Sequence, residues 1–98
     1  MKYIDVTLLD DSSALTLDEI CRAIHADNDL IVQLVEYHII EPKGAAEENW
    51  IFDHVCLKRA RLARNFYYDL EVNLAGIGLL LDMLDRIDAL ESTIARLR

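Results

Sequence analysis

Cysteine, proline and glycine are all scarce: two, one and three residues in a chain of 98. Two thiols, Cys21 and Cys56, are too few to staple a small secreted domain, so the fold has to rest on packing and both cysteines read as reduced. With 53% of residues hydrophobic and 29% charged, the composition excludes disorder and low complexity. Long apolar runs are also missing. The longest stretches, such as Leu79-Leu80-Leu81, fall far short of the ~20 residues of a membrane span. The opening Met1-Lys2-Tyr3-Ile4-Asp5 is no signal peptide, which leaves the cytoplasm as the expected location. What remains is a single domain, residues 1–98, of 11.2 kDa. A chain of this size buries roughly two-thirds of its unfolded surface, enough for one modest core that benefits from a partner subunit.

Positive charge is lacking where a nucleic-acid reader would need it. Residues 1–42 carry Lys2 and Arg22 against nine acids, a net of −7, and no Lys or Arg stands between Arg22 and Lys43. Residues 43–64 reverse the sign, with Lys43, Lys58, Arg59, Arg61 and Arg64 against Glu47, Glu48 and Asp53. The remainder nets −3, for a total of −8. A phosphate backbone repels such an N-terminal half, whereas a basic partner suits it.

Residues 1–11 form an N-terminal segment in which 2–9 alternate imperfectly and fit a short strand. Thr16 with Glu19 makes a capping box, and Leu17, Ile20, Cys21 and Ile24 follow at helical spacing, which predicts a helix over about 16–26. Asp27, Asn28 and Asp29 supply caps for a second helix whose apolar face is Leu30, Ile31, Leu34 and Val35. The short turn between them makes a helix-turn-helix. Ile39 to Gly44, turning through Pro42, and Trp50-Ile51-Phe52 read as two extended pieces around a loop, the description of a wing. Trp50 and Phe52, two apart on a strand, point to the same side and are expected to pack on the core. Asp53 caps a third helix from about His54 to Leu70, with Val55, Ala60, Ala63, Phe66, Tyr67 and Leu70 facing inward. Residues 12–72 thus make a winged core.

Asn73 caps the last helix, within 73–98. Gly76 and Gly78 weaken its start by roughly 1 kcal/mol each and are expected to permit close packing. Leu80, Met83, Ile87, Leu90, Ile94 and Leu97 follow at alternating spacings of three and four, a heptad seam. A second row, Ile77, Leu81 and Leu84, occupies only the N-terminal end. The helix therefore opens with a wide core-facing stripe and finishes with a narrow one, too short to stand alone in water. A twofold-related copy, expected antiparallel, would cover the seam; folding back on its own domain is the alternative.

This order of elements resembles the winged helix-turn-helix of the MerR class, a mainly α fold with a small wing sheet and a C-terminal dimerisation helix. More closely, Tyr37-His38-Ile39-Ile40-Glu41-Pro42, Trp50-Ile51-Phe52-Asp53, Arg59-Ala60, Asp69-Leu70 and Gly76-Ile77 resemble the chaperone-modulator CbpM family, over about residues 12–97. The resemblance implies a small homodimer that binds the J-domain of CbpA, a DnaJ-type co-chaperone, and inhibits it. Residues 1–11 depart from the pattern and inherit nothing.

The residues favour the same class of partner. The outward face of the second helix offers Asn28, Asp29, Gln33, Glu36 and Tyr37, two acids and no base, poor equipment for the major groove. Lys58, Arg59, Arg61 and Arg64 would touch a phosphate backbone, or form a solvated helix face. J-domains, as a family, present a basic second helix beside a His-Pro-Asp loop. Asp18, Glu19, Asp29 and Glu36 are the expected steering charges and Val32 and Tyr37 the anchors, unless the acids serve solubility alone. The three histidines lie near no nucleophile motif, and no glycine loop cradles phosphate, so neither enzyme nor cofactor is expected. Cys21 and His25 at i, i+4 supply two metal ligands at most, and core packing of Cys21 explains the spacing better. A MerR-like transcription regulator and a generic adaptor for another basic partner remain the alternatives.

Overall fold

The computed structural model describes residues 14–97. The N-terminal segment 1–11, with the strand expected over 2–9, lies outside them. Among the described residues four helices carry the architecture: α1 (Leu17–Ile24), α2 (Asn28–Glu36), α3 (His54–Asp69) and α4 (Leu74–Arg96).

Each helix starts where a side chain satisfies an orphaned amide. Thr16 Oγ1 accepts from the Glu19 amide while Glu19 Oε1 accepts from the Thr16 amide, closing the capping box. Asp27, Asp53 and Asn73 accept from the amides of Leu30, Cys56 and Gly76 at 2.9, 2.9 and 2.8 Å. α1 is shorter than the 16–26 expected because Thr16 is its cap and His25, in left-handed conformation at φ 57°, ends it.

The core gathers one face of each helix. Ile20, Ile31, Leu34, Ile40, Phe52, Leu57, Ile77 and Leu81 are fully buried, and Cys21 and Cys56 pack with them. Trp50 joins Phe52 edge to face, ring centroids 6.1 Å apart, on the expected side. On α3 the inward face differs from the sequence expectation. Cys56, Leu57, Ala60 and Ala63 are buried and Phe66 and Tyr67 half-buried, whereas Val55 and Leu70 are exposed. The buried set steps by one, three and three residues, so the stripe runs through Leu57 and leaves the two ends of the helix outside it.

The wing sheet expected from Ile39–Gly44 and Trp50–Phe52 is not formed: no strand occurs among the described residues. Two isolated antiparallel bridges take its place, Lys43 with Ile51 and Leu15 with Phe52. Each exchanges both backbone hydrogen bonds, at 2.8–3.0 Å. The ladder stops at one rung for physical reasons. Pro42, beside Lys43, has no N–H to donate. Gly44 turns the chain at φ 109°, and Glu47–Asn49 winds into a 3-10 turn.

α4 begins on the core and then leaves it. Ile77 and Leu81 are buried, Leu80 is half-buried, and beyond Leu81 every described residue is exposed. Gly76 fits closely under Val72, where a Cβ would sit 3.1 Å from Cγ1. At about 1.5 Å per residue the helix runs roughly 35 Å, longer than the 31 × 30 Å breadth of a molecule whose long axis is 46 Å.

Candidate functional site

Two surfaces stand out, the outward side of α2 and the free flank of α4. On α2, Asp29, Val32 and Glu36 are spaced three and four apart and so share one face. Asp29 and Glu36 are exposed, Val32 and Gln33 half-buried, and Tyr37, which caps the helix, is 53% exposed. The face reads acid, apolar, acid, aromatic along two turns. An encounter with a positively charged helix would be steered by its ends and held by its middle and Tyr37.

Asp18 and Glu19 lie apart from that stripe, in the first turn of α1. Glu19 is held in the capping box, which ties its carboxylate to the Thr16 amide. Asp18 lines an open depression of about 470 Å³ with Thr16, Leu17, Glu47 and Glu48. The structure thus groups Asp18 with two acids that are far from it in sequence. No spacing in the sequence pairs them, because the grouping depends on how the loop after Gly44 folds back.

The basic run of α3 is partly committed elsewhere. Arg59 is largely buried and bonded to Ile39 O and Asp85. Arg64 lies 5.0 Å over the Tyr68 ring and donates from Nε to His25 O at 3.4 Å. Lys58 and Arg61 are exposed. Tyr67 packs on the core while its neighbour Tyr68 faces outward, the division that adjacent positions on a helix require.

On α4 the seam is uncovered: Met83, Ile87, Leu90, Ile94 and Leu97 are 48–81% exposed. A groove of about 400 Å³ where α4 leaves α3 is lined by Val55, Leu62, Leu81 and Leu84 between Lys58 and Asp88.

The thiols sit in surroundings that disfavour a thiolate. Burial pushes Cys21 up, reinforced by Asp18 and Asp27, and its Sγ donates to Asn28 Oδ1 at 3.1 Å. Burial likewise pushes Cys56 up. No group of three or more His, Cys, Asp or Glu that would hold a metal occurs among the described residues. No described helix is long and apolar enough to cross a membrane.

Residues 15–98 match the family model of the MerR HTH family regulatory proteins. The chain is 44% identical over 90 residues to the chaperone modulatory protein CbpM of Coxiella burnetii (strain Dugway 5J108-111), covering 92% of this chain and 85% of the relative. It is 30% identical over 84 residues to the CbpM of Pseudomonas putida (strain GB-1), covering 86% and 83%. The Pseudomonas entomophila protein of the same name is 28% identical over 78 residues, covering 80% and 77%.

Proposed function

The chain belongs to the CbpM family of chaperone modulatory proteins, on a MerR-type helix-turn-helix, and from that premise we propose that it binds the J-domain of a CbpA-like, DnaJ-type co-chaperone and inhibits it. The role is stoichiometric rather than catalytic and needs no cofactor. The observation that carries it is the α2 face, where Asp29 and Glu36 flank Val32 beside an exposed Tyr37, with no Lys or Arg between Arg22 and Lys43. A helix-turn-helix whose outward helix is acidic has lost the phosphate contacts and arginine–guanine pairs that DNA reading depends on. The same surface complements a basic helix. Bound there, the protein would cover the part of the J-domain that engages its Hsp70. The working form is a cytoplasmic homodimer paired through Leu80, Met83, Ile87, Leu90, Ile94 and Leu97.

Calorimetric titration against the J-domain from the same organism, with random duplex DNA as the parallel ligand, tests this. Saturable J-domain binding and a silent DNA titration are expected. The converse result favours the second reading, a MerR-like regulator, whose support is the family match and the exposed Lys58 and Arg61. In that case Lys58→Glu with Arg61→Glu abolishes DNA binding and Asp29→Lys improves it.

A further inference from the structure

Arg59 joins three elements that are far apart in sequence. Its side chain is 20% exposed. Nε donates to the carbonyl of Ile39 at 2.7 Å, Nη1 to Asp85 Oδ2 at 2.6 Å, and Nη2 lies 3.7 Å from Asp82 Oδ1. The first partner is in the turn that closes α2. The other two stand three residues apart on α4. One planar guanidinium, rooted in α3, therefore reads the positions of a backbone carbonyl and of two carboxylates at once.

The turn it grips is closely defined. His38 is left-handed at φ 59°, and the amides of Ile39 and Ile40 both return to Leu34 O. Ile39 is buried, and a Cβ at Gly78 of α4 would meet its Cγ1 at 3.6 Å, so α4 rests on this turn by packing as well. Tyr37 immediately precedes the left-handed residue. An exposed ion pair by itself contributes little. Here the same cation also satisfies the carbonyl of a buried residue, so shifting the carboxylates on α4 either draws Arg59 off Ile39 or moves the turn with it.

We propose that Arg59 is a positioning residue that couples the placement of α4 to the turn carrying Tyr37, so that the packing state of the last helix sets the partner-facing end of α2. Coupling of this kind is reciprocal: occupation of the α2 face biases α4 as strongly as α4 biases the face. The binding half of the inference rests on the J-domain reading, whereas the structural half does not.

Hydrogen exchange of the full-length protein separates them. In the double variant Asp82→Asn with Asp85→Asn, Arg59 loses the carboxylates that hold it between α4 and the Ile39 carbonyl, and the amides of His38, Ile39 and Ile40 should exchange roughly tenfold faster. Asp88→Asn with Glu91→Gln removes the same charge without touching Arg59 and should leave those amides unchanged. Arg59→Lys, which keeps the charge and loses the fork, should reproduce the effect; if it fails to fold, the Asp82 and Asp85 variant decides. Faster exchange confined to α4, or none, overturns the coupling. Titration against the J-domain should then show affinity lowered at least about threefold in the Asp82 and Asp85 variant and not in its charge-matched control. Equal affinities overturn the link to the binding face. A wild-type chain that does not bind the J-domain removes the functional reading and leaves the exchange result to decide the coupling alone.

Discussion

Asp53 holds the entrance to α3 by hydrogen bonds that also set its acidity. The Cys56 amide from which it accepts holds the carboxyl below the usual range, with the neighbouring His54 adding to the effect and burial opposing it. Because the folded value is depressed, the stability that Asp53 supplies is fully present above the unfolded value of about 3.9. It is lost as pH falls through the folded value. Asparagine caps nearly as well but does not titrate there. Asp53→Asn should therefore leave the melting temperature at pH 7 almost unchanged and flatten the decline below about pH 4, whereas Asp53→Ala costs about 1 kcal/mol at pH 7. Thermal melts of the three proteins from pH 7 to 2.5 decide it. Gly44 makes a harsher demand. Its φ of 109° is one that side chains rarely adopt, and a Cβ there would collide with the carbonyl oxygen of Asn49. Gly44→Ala should destabilise by roughly 2–3 kcal/mol, read from urea midpoints at constant slope. Destabilisation below about 0.5 kcal/mol, the level of an ordinary surface change, would show that the loop yields without strain.

Elements repeat the pattern that residues set, and α2 shows it most plainly. Its buried face of Leu30, Ile31 and Leu34 was legible from spacing, and the opposite face follows by geometry. Asp29→Lys with Glu36→Lys alters only that outward face, so stability should hold within about 0.5 kcal/mol. J-domain affinity should fall roughly tenfold, mainly through a slower association rate that salt erases. Stopped-flow association at two ionic strengths checks this, and a salt-independent loss of affinity would point to packing rather than steering. The caps at Thr16, Asp27, Asp53 and Asn73 were equally readable, since each lies directly before an apolar period. The wing was not. β-branched and aromatic residues at Ile39–Ile40 and Trp50–Phe52 suggest strands, but pairing depends on partners distant in sequence, and Pro42 with Gly44 limits it to single rungs. Arg59 was misread for a similar reason. Within a run of four bases it looks like solvated charge, and only the arrival of α4 and the Ile39 carbonyl makes it a partly buried bridge.

At the scale of the whole molecule the decisive fact is that one helix outruns its core. The change from a wide stripe at Ile77 and Leu81 to the narrow seam beyond was visible in the heptad spacing, and burial stops at Leu81, before the second row ends at the exposed Leu84. The grouping of Asp18 with Glu47 and Glu48 was hidden, because it depends on how the loop after Gly44 folds back. An exposed row of Met83, Ile87, Leu90, Ile94 and Leu97 is the kind of surface that water penalises and a second copy relieves. Its e and g flanks carry Glu91 and Arg86, charges that suit the rim of a helix pair. In an antiparallel pair centred between Ile87 and Leu90, Leu97 of each copy falls opposite Leu80 of the other, where α4 still rests on its own core. The dimer would then brace the projecting half of each helix against the partner's domain. Ile87→Asp places two carboxylates near the centre of that seam, and leaving either one unpaired in an apolar contact costs several kcal/mol. Sedimentation should give a dimer near twice 11.2 kDa for the native chain and a monomer for the variant. Since Ile87 is already 48% exposed in the single chain, the domain itself should keep its fold and its far-ultraviolet spectrum. A native chain that sediments as a monomer at tens of micromolar, or a variant that remains a dimer, would place the contact elsewhere and leave the seam without its proposed partner.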